Sequence, residues 1–318
     1  MQTELLGQTA GKQALYKWRE LVSKDSLRFY LFISPWILGF LIFTVRPMIM
    51  SVYYSFTKYK VILPPKWVGL VNYKWLFTSD LMFKDALMNS FIITFLGVPL
   101  GTLLSLFMAV VLHQKNVRGL TFWRALFYVP SIMPGIASVY MFAWLFNYRL
   151  SPINGLLDLL ELPAINFFSV NLALGLVLLI GLWGFGGGMI ILLAALQGIP
   201  RVLYEAAAID GANRWKSFLN ITLPGLSPAL FFLFTGGLIG SMQAFQTGWF
   251  LIQYGAPQSR MIFLGYLVYN NAFGGSAIGA QGGMGYASAV AWVIFWIVMA
   301  LTAINLWGAK HWVYYEQL

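Results

Sequence analysis

Six long runs without a charged residue constrain this chain more than any other feature. They cover 29–45, 86–114, 125–148, 162–200, 217–259 and 261–309, or 17, 29, 24, 39, 43 and 49 positions. A helix that crosses a bilayer needs about 20 apolar residues at about 1.5 Å each. Each run holds one such stretch, and the spacing predicts spans near 29–51, 89–112, 122–146, 172–196, 226–250 and 286–308. Of the 318 residues 59% are apolar and 9% charged, whereas a soluble domain carries about 25% charged residues. That balance excludes a free soluble enzyme and gives the expected fold class: an all-α polytopic membrane protein with six transmembrane helices. Gly, Gln and Asn in 253–285 predict loop or re-entrant structure there.

The absence of cysteine removes disulfides, thiolate metal sites and Cys nucleophiles. The two histidines, His113 and His311, stand too far apart in sequence to suggest a His-based metal cluster. The net charge of +10 reads as lysines and arginines holding helix ends against anionic headgroups, not as a nucleic-acid footprint. The first span is preceded by Lys12, Lys17, Arg19, Lys24 and Arg28 and ends in Val45-Arg46-Pro47. A cleaved signal has an apolar core of about 7–15 residues and a small-x-small site, so a retained helix is expected. Residues 8–27 read as an amphipathic helix on the inner surface, and the domain reading is 1–28 followed by a transmembrane domain over 29–318. With the N-terminus inside, 12 Lys and Arg fall on the inner side and seven in outer loops, which predicts both termini in the cytoplasm. Gly97-x3-Gly101, Gly184-x3-Gly188 and Gly236-x3-Gly240 fit the small-x3-small spacing of closely packed membrane helices.

The loop between the fourth and fifth predicted spans differs from the others. Pro200 suits a first helical turn, Val202 to Asp210 continues it, and Gly211 is a natural left-handed stop. Asn213 is placed to cap a second helix running towards Leu223, with Pro224 expected to end it. A short Ala-rich helix is poorly stabilised alone. It fits either docking into a partner, with Ala206 and Ala207 allowing close approach and Glu205 supplying an ionic contact, or resting on headgroups.

Glu205-Ala206-Ala207, Gly211, Ile221 and Leu223-Pro224 at this spacing resemble the EAA loop of ABC importer permeases. Tyr30-Leu-Phe-Ile-Ser-Pro35, Tyr54-Ser-Phe-Thr57, Gly69-Leu-Val-Asn-Tyr73, Phe122-Trp-Arg-Ala-Leu-Phe-Tyr-Val-Pro130, Tyr269-Asn-Asn-Ala-Phe273 and Met284-Gly-Tyr-Ala-Ser-Ala289 are similar, in family order, to the carbohydrate-uptake branch related to maltose and glycerol-phosphate permeases. Gly255–Arg260 and 274–283 depart from the usual pattern, where the delivery protein should dock. The resemblance implies a type I ABC importer permease fold. It also implies that Glu205, Ala206, Ala207, Asp210 and Gly211 form a coupling contact with an ATPase, and that the bundle works by alternating access. The implied partners are a second homologous permease, two ATP-binding subunits, an extracytoplasmic solute-binding protein, carbohydrate and membrane lipid, in a bacterial or archaeal cytoplasmic membrane. No Gly-x4-Gly-Lys-Ser/Thr occurs in the chain, so no cofactor is expected in it, and ATP and Mg belong to the partner subunits.

Polar groups within a span are expensive and therefore suspect. The fifth predicted span holds Ser241, Gln243, Gln246 and Thr247, and the last three stand at i, i+3 and i+4, which on a continuous helix is one face. With Trp249 and Phe250 beside them they suit sugar hydroxyls and a stacking pyranose. Trp183 and Phe185 offer a second wall, and Tyr286 and Ser288 open the last span. The alternative for each glutamine is an interhelical hydrogen bond. No acid sits centrally in a predicted span, which argues against a proton- or sodium-coupled carrier. The resemblance implies a permease subunit of an ATP-driven importer for an oligosaccharide or related carbohydrate, an anionic sugar included; the alternatives are a non-sugar cargo (amino acid, polyamine or anion) and, in a different class, a stand-alone secondary carrier or polytopic membrane enzyme.

Overall fold

The computed structural model describes residues 24–114, 118–274 and 282–314. The surface helix expected over 8–27 lies outside the described residues up to 23, and 24–27 belong to the first membrane helix. The chain divides into two compact units, Met1–Tyr54 and Ser55–Leu318. The boundary read from sequence at 28/29 falls inside the first.

In the first unit, α1 (Lys24–Phe40) passes through a π-helical turn, Leu41–Val45, into α2 (Arg46–Ser55). The apolar stretch Arg28–Ser55 is one helix of 28 residues, about 42 Å long. The π turn has a local cause. Pro47 has no N–H and its ring presses on the carbonyl four residues back. An extra residue before it lets the helix continue, with the Arg46 N–H donating to Leu41 O, five residues back.

The second unit opens with a hairpin, β1 (Thr57–Lys60) and β2 (Leu63–Trp67), Thr57 opposite Trp67 and Lys58 opposite Lys66. Helix α3 (Val71–Thr78) holds the hairpin: buried Asn72 donates from Nδ2 to Ser55 O at 2.8 Å and Thr57 O at 3.0 Å. The second span is α4 (Leu81–Ile92), a π turn Ile93–Gly97, and α5 (Val98–His113). It begins eight residues before the expected position 89, because Asp80 caps it at the Phe83 N–H (3.0 Å) and Lys84 and Asp85 stay exposed on its first turns.

The third span departs from the expected straight helix. α6 (Leu120–Ile132) and α7 (Gly135–Leu145) meet at 97°. Met133 precedes Pro134 and is extended at φ −64°, ψ 138°, the conformation a following proline favours. After the capped loop helix α8 (Pro152–Leu159), α9 (Ala173–Trp183) and α10 (Gly186–Gly198) form the fourth span, bent by 42° at Gly184-Phe185. The loop helix α11 (Arg201–Ile209) follows.

Then α12 (Arg214–Ser217), a π turn Phe218–Thr222 and α13 (Leu223–Met242) run as one 29-residue helix. Pro224 does not end the helix as the sequence reading expected. The Leu223 N–H donates to Phe218 O, and the chain passes the proline by the same widening seen before Pro47. A π turn also lies two residues ahead of Pro99. The fifth span ends at Met242 rather than 250. Short helices α14 (Gln246–Gln253), α15 (Gln258–Met261) and α16 (Leu264–Phe273) fold back beside it, and α17 (Met284–Trp312) is the last span. By length and composition four helices among the described residues can cross a membrane, or up to six spans if each bent pair counts as one.

Three apolar clusters form the core. One joins Val139, Phe142, Val177, Leu251, Met261 and Phe263. The second joins Leu76, Phe83, Met242, Ile262, Leu264, Tyr286 and Val290. The third joins Leu106, Met189, Leu192, Leu193 and Leu226. Glycine sets the spacing between helices at a few points. A Cβ on Gly186 would fall 2.0 Å from Phe127 O, and one on Gly188 would fall 2.8 Å from Ser105 Oγ. The Gly236-x3-Gly240 expectation shifts by one position. A Cβ at either residue meets nothing within 4 Å, whereas one on Gly237 would meet Val98 Cγ1 at 2.8 Å.

Candidate functional site

The helix interruptions converge on one place. Met133 and Gly135 at the α6/α7 bend, Trp183 to Phe185 at the α9/α10 bend, and Ala244, Phe245 and Thr247 after α13 all line a cavity of about 550 Å³, closed on another side by α5. This volume is in the range of small-molecule sites. None of the lining residues is Asp, Glu, Lys, Arg or His. The polar groups are hydroxyls, those of Thr102, Ser105, Ser131, Ser138, Ser241 and Thr247. Several already donate inward: Thr102 to Val98 O at 2.8 Å, Ser131 to Tyr128 O at 2.7 Å, Ser105 to Phe185 O at 2.9 Å. Their oxygens keep acceptor capacity, and the Trp183 ring adds an aromatic surface. Such a wall can bind a hydroxylated, uncharged moiety. Among the described residues no cluster of His, Asp or Glu suits a metal.

The sequence-predicted residues divide between this wall and other places. Trp183, Phe185, Ser241 and Thr247 line the cavity. Gln243, Gln246 and Thr247 do not share a helix face. Gln243 is the C-cap of α13 and the other two open α14, because the start of α16 wedges against the break, where a Cβ on Gly265 would lie 2.6 Å from Gln243 O. Gln243 and Gln246 are exposed and are not lining residues; the Gln246 Oε1 reaches the α6/α7 bend, 3.7 Å from where a Gly135 Cβ would be. Trp249 and Phe250 pack into apolar clusters instead. Tyr286 is buried and donates its Oη to the Asp80 carboxylate, tying the start of α17 to the cap of α4. Ser288 donates to Met284 O in its own helix (2.7 Å). The hydroxyls of Thr102 and Ser105 went unnoticed in the sequence, although their spacing on a predicted span was a usable signal.

The other conspicuous element is α11. None of its residues is buried, and Ile209 is 88% exposed. Its end is a complete Schellman motif: the Ala212 N–H donates to Ala207 O (2.8 Å), the Gly211 N–H to Ala208 O (3.2 Å), and Gly211 is left-handed at φ +74°. Asn213 Oδ1 then caps the next helix at the Lys216 N–H (2.8 Å). Glu205, Ala206, Asp210 and Gly211 are exposed at this end and Ala207 is half-buried. Tyr204 Oη pairs with Thr222 Oγ1 at 2.9 Å, so α11 is hydrogen-bonded to the π turn of the long fifth-span helix. Beneath it, Ile199, Leu203, Leu219, Pro224 and Tyr314 border a second hollow of about 720 Å³.

Bent apolar spans around an uncharged cavity, with a stiff exposed loop helix attached to one long span, define a multi-pass membrane protein of the permease class. Residues 83–307 match the family described as "Binding-protein-dependent transport system inner membrane component". The chain belongs to that family and is an ABC transporter permease subunit. It is 37% identical over 310 residues to the "Probable ABC transporter permease protein YesP" of Bacillus subtilis (strain 168), covering 96% of this chain and 97% of that one. It is 31% identical to the "Arabinooligosaccharides transport system permease protein AraP" of the same organism, covering 94% and 93%. In fold it matches a chain of a bacterial ABC transporter involved in import of the acidic polysaccharide alginate, with a TM-score of 0.79, 20% identity, and 93% and 98% of the two chains covered.

Proposed function

We propose that this chain is the membrane-spanning subunit of an ATP-driven importer for an oligosaccharide or related carbohydrate. It works beside a second, related permease, with two ATP-binding subunits on the cytoplasmic side and a solute-binding protein outside. Nucleotide and Mg stay with the ATP-binding subunits, and both termini of this chain face the cytoplasm. The observation that carries the proposal is α11, a helix with no buried residue whose end is fully capped and whose body is pinned to the fifth-span helix through Tyr204 and Thr222. A helix this short is poorly stable in isolation; capped and anchored, it can pass force from a docked ATPase into the span as a rigid body. Glu205, Ala206, Ala207, Asp210 and Gly211 are the docking contact. Carbohydrate as cargo rests on the relatives named for arabino-oligosaccharides and multiple sugars and on the hydroxyl and indole wall of the cavity. The substrate path runs along Trp183, Ser241 and Thr247, with Gln243 and Gln246 at its exposed edge. Tyr286 sets helix position through Asp80 and does not touch cargo.

The test is ATP hydrolysis by the reconstituted complex. Hydrolysis should rise when the solute-binding protein arrives loaded with oligosaccharide and stay basal with the unloaded protein. Equal hydrolysis in both cases, or purification of this chain without any ATP-binding subunit, contradicts the proposal.

A further inference from the structure

The hydroxyls that line the cavity are of two kinds. Thr102 and Ser105 on α5 donate to Val98 O and Phe185 O, and Ser131 near the end of α6 donates to Tyr128 O. A hydroxyl has a single proton, so these three can only accept from a ligand. The others keep a proton to give. Thr94 donates to Ser241 Oγ at 2.9 Å, which leaves the Ser241 proton uncommitted. The hydroxyls of Ser138 on α7 and Thr247 on α14 bond to no group among the described residues. Of these, Ser138 is the most enclosed: it lines the cavity and is 8% exposed. An idle hydroxyl so deeply placed costs free energy until a partner completes it.

This arrangement sorts sugars by charge. A sugar hydroxyl both donates and accepts, so it can use either kind of wall group. A carboxylate only accepts, and at Thr102, Ser105 and Ser131 it meets lone pairs instead of protons. Taking it out of water is expensive unless a counter-charge meets it, and no Lys, Arg or His among the described residues lines the cavity. Taking the chain as a carbohydrate permease, we propose that the cavity accepts uncharged glycosyl units and rejects uronate units. Ser138 is its specificity-determining donor and gives its proton to a sugar oxygen.

The chain has no cysteine, so Ser131→Cys places the single thiol of this chain on the cavity wall and keeps Ser138. In the assembled complex in lipid nanodiscs, methyl methanethiosulfonate labels that thiol, and the mass of this chain reports the rate. Arabinotriose, maltotriose and xylotriose serve as neutral probes, trigalacturonate and trimannuronate as acidic ones. At least one neutral trisaccharide should slow labelling, and neither acidic one should. Adding Ser138→Ala should raise the neutral sugar needed for half-protection about fivefold, the worth of one neutral hydrogen bond. Protection by an acidic trisaccharide overturns the charge selection. Unchanged half-protection with Ser138→Ala overturns the role of Ser138. If no trisaccharide protects while loaded solute-binding protein still stimulates ATP hydrolysis, the cavity is not the sugar site and the importer reading stands; if stimulation is absent as well, both fall.

Discussion

Gly186→Ala tests how the cavity is built. The added Cβ would sit 2.0 Å from Phe127 O and 2.9 Å from both Phe127 C and Tyr128 Cα. All three are backbone atoms, so no rotamer change relieves the clash. Ordinary contact needs about 3.5 Å, and restoring it moves α6 away from α10 by more than about 1 Å. Overpacking of this kind costs about 1–3 kcal/mol; the rigid opponent puts this site near the upper end, lessened by up to about 1 kcal/mol from the better helix propensity of Ala. Gly175→Ala in α9 is the control, since its Cβ meets nothing within 4 Å. Thermal unfolding in lipid nanodiscs should show Gly186→Ala melting roughly 4–8 °C lower with reduced transport, and Gly175→Ala unchanged or slightly raised. Gly186→Ala melting with the parent while Gly175→Ala falls would refute the close approach on which the cavity wall depends.

Three further outcomes follow from individual contacts. Tyr286→Phe removes the hydroxyl donated to Asp80 and should destabilise by about 1.5–3 kcal/mol, as for a hydrogen bond to a charged group; a double cycle with Asp80→Asn that proves additive would deny the coupling. Gly211→Ala meets open space but must hold φ +74°, so it should weaken the α11 stop by about 1 kcal/mol and raise local amide exchange at Ala212 and Asn213, whereas unchanged exchange would contradict the left-handed stop. Glu205→Lys reverses an exposed charge and should cut uptake while melting temperature and membrane insertion stay as in the parent; normal uptake removes Glu205 from the docking contact.

Much of the scaffold was legible in the residues because charge is intolerable in lipid. Arg28 and Lys310 lie at the ends of long helices, and each uncharged run overlaps one of the long helices or bent helix pairs among the described residues. The α11 turn was legible for a different reason: Gly211 and Asn213 perform local backbone tasks that few other residues perform as well. Interruptions inside the runs were harder to read. Pro134 does announce the break after Met133, but Pro47, Pro99 and Pro224 look alike in sequence and each is bridged by a π turn. Ending the fifth span at Met242 needs a neighbour, since the wedge at Gln243 comes from Gly265. The segment read as loop or re-entrant holds some of the most buried side chains: Met261, Ile262, Phe263 and Leu264 are nearly inaccessible. A short apolar run between polar residues carries no period that separates core from loop. The glutamines drew attention because amides are rare in spans; Thr102, Ser105 and Ser131 on the cavity wall, whose protons go to backbone carbonyls, did not.

Vesicle uptake gives the most direct test of the central claim, that this permease moves cargo only when driven through α11. Proteoliposomes carrying this chain, its partner permease and the ATP-binding subunits should accumulate labelled oligosaccharide when ATP and loaded solute-binding protein are both supplied, and should show none if either is withheld. Accumulation by this chain alone, without nucleotide, would contradict it.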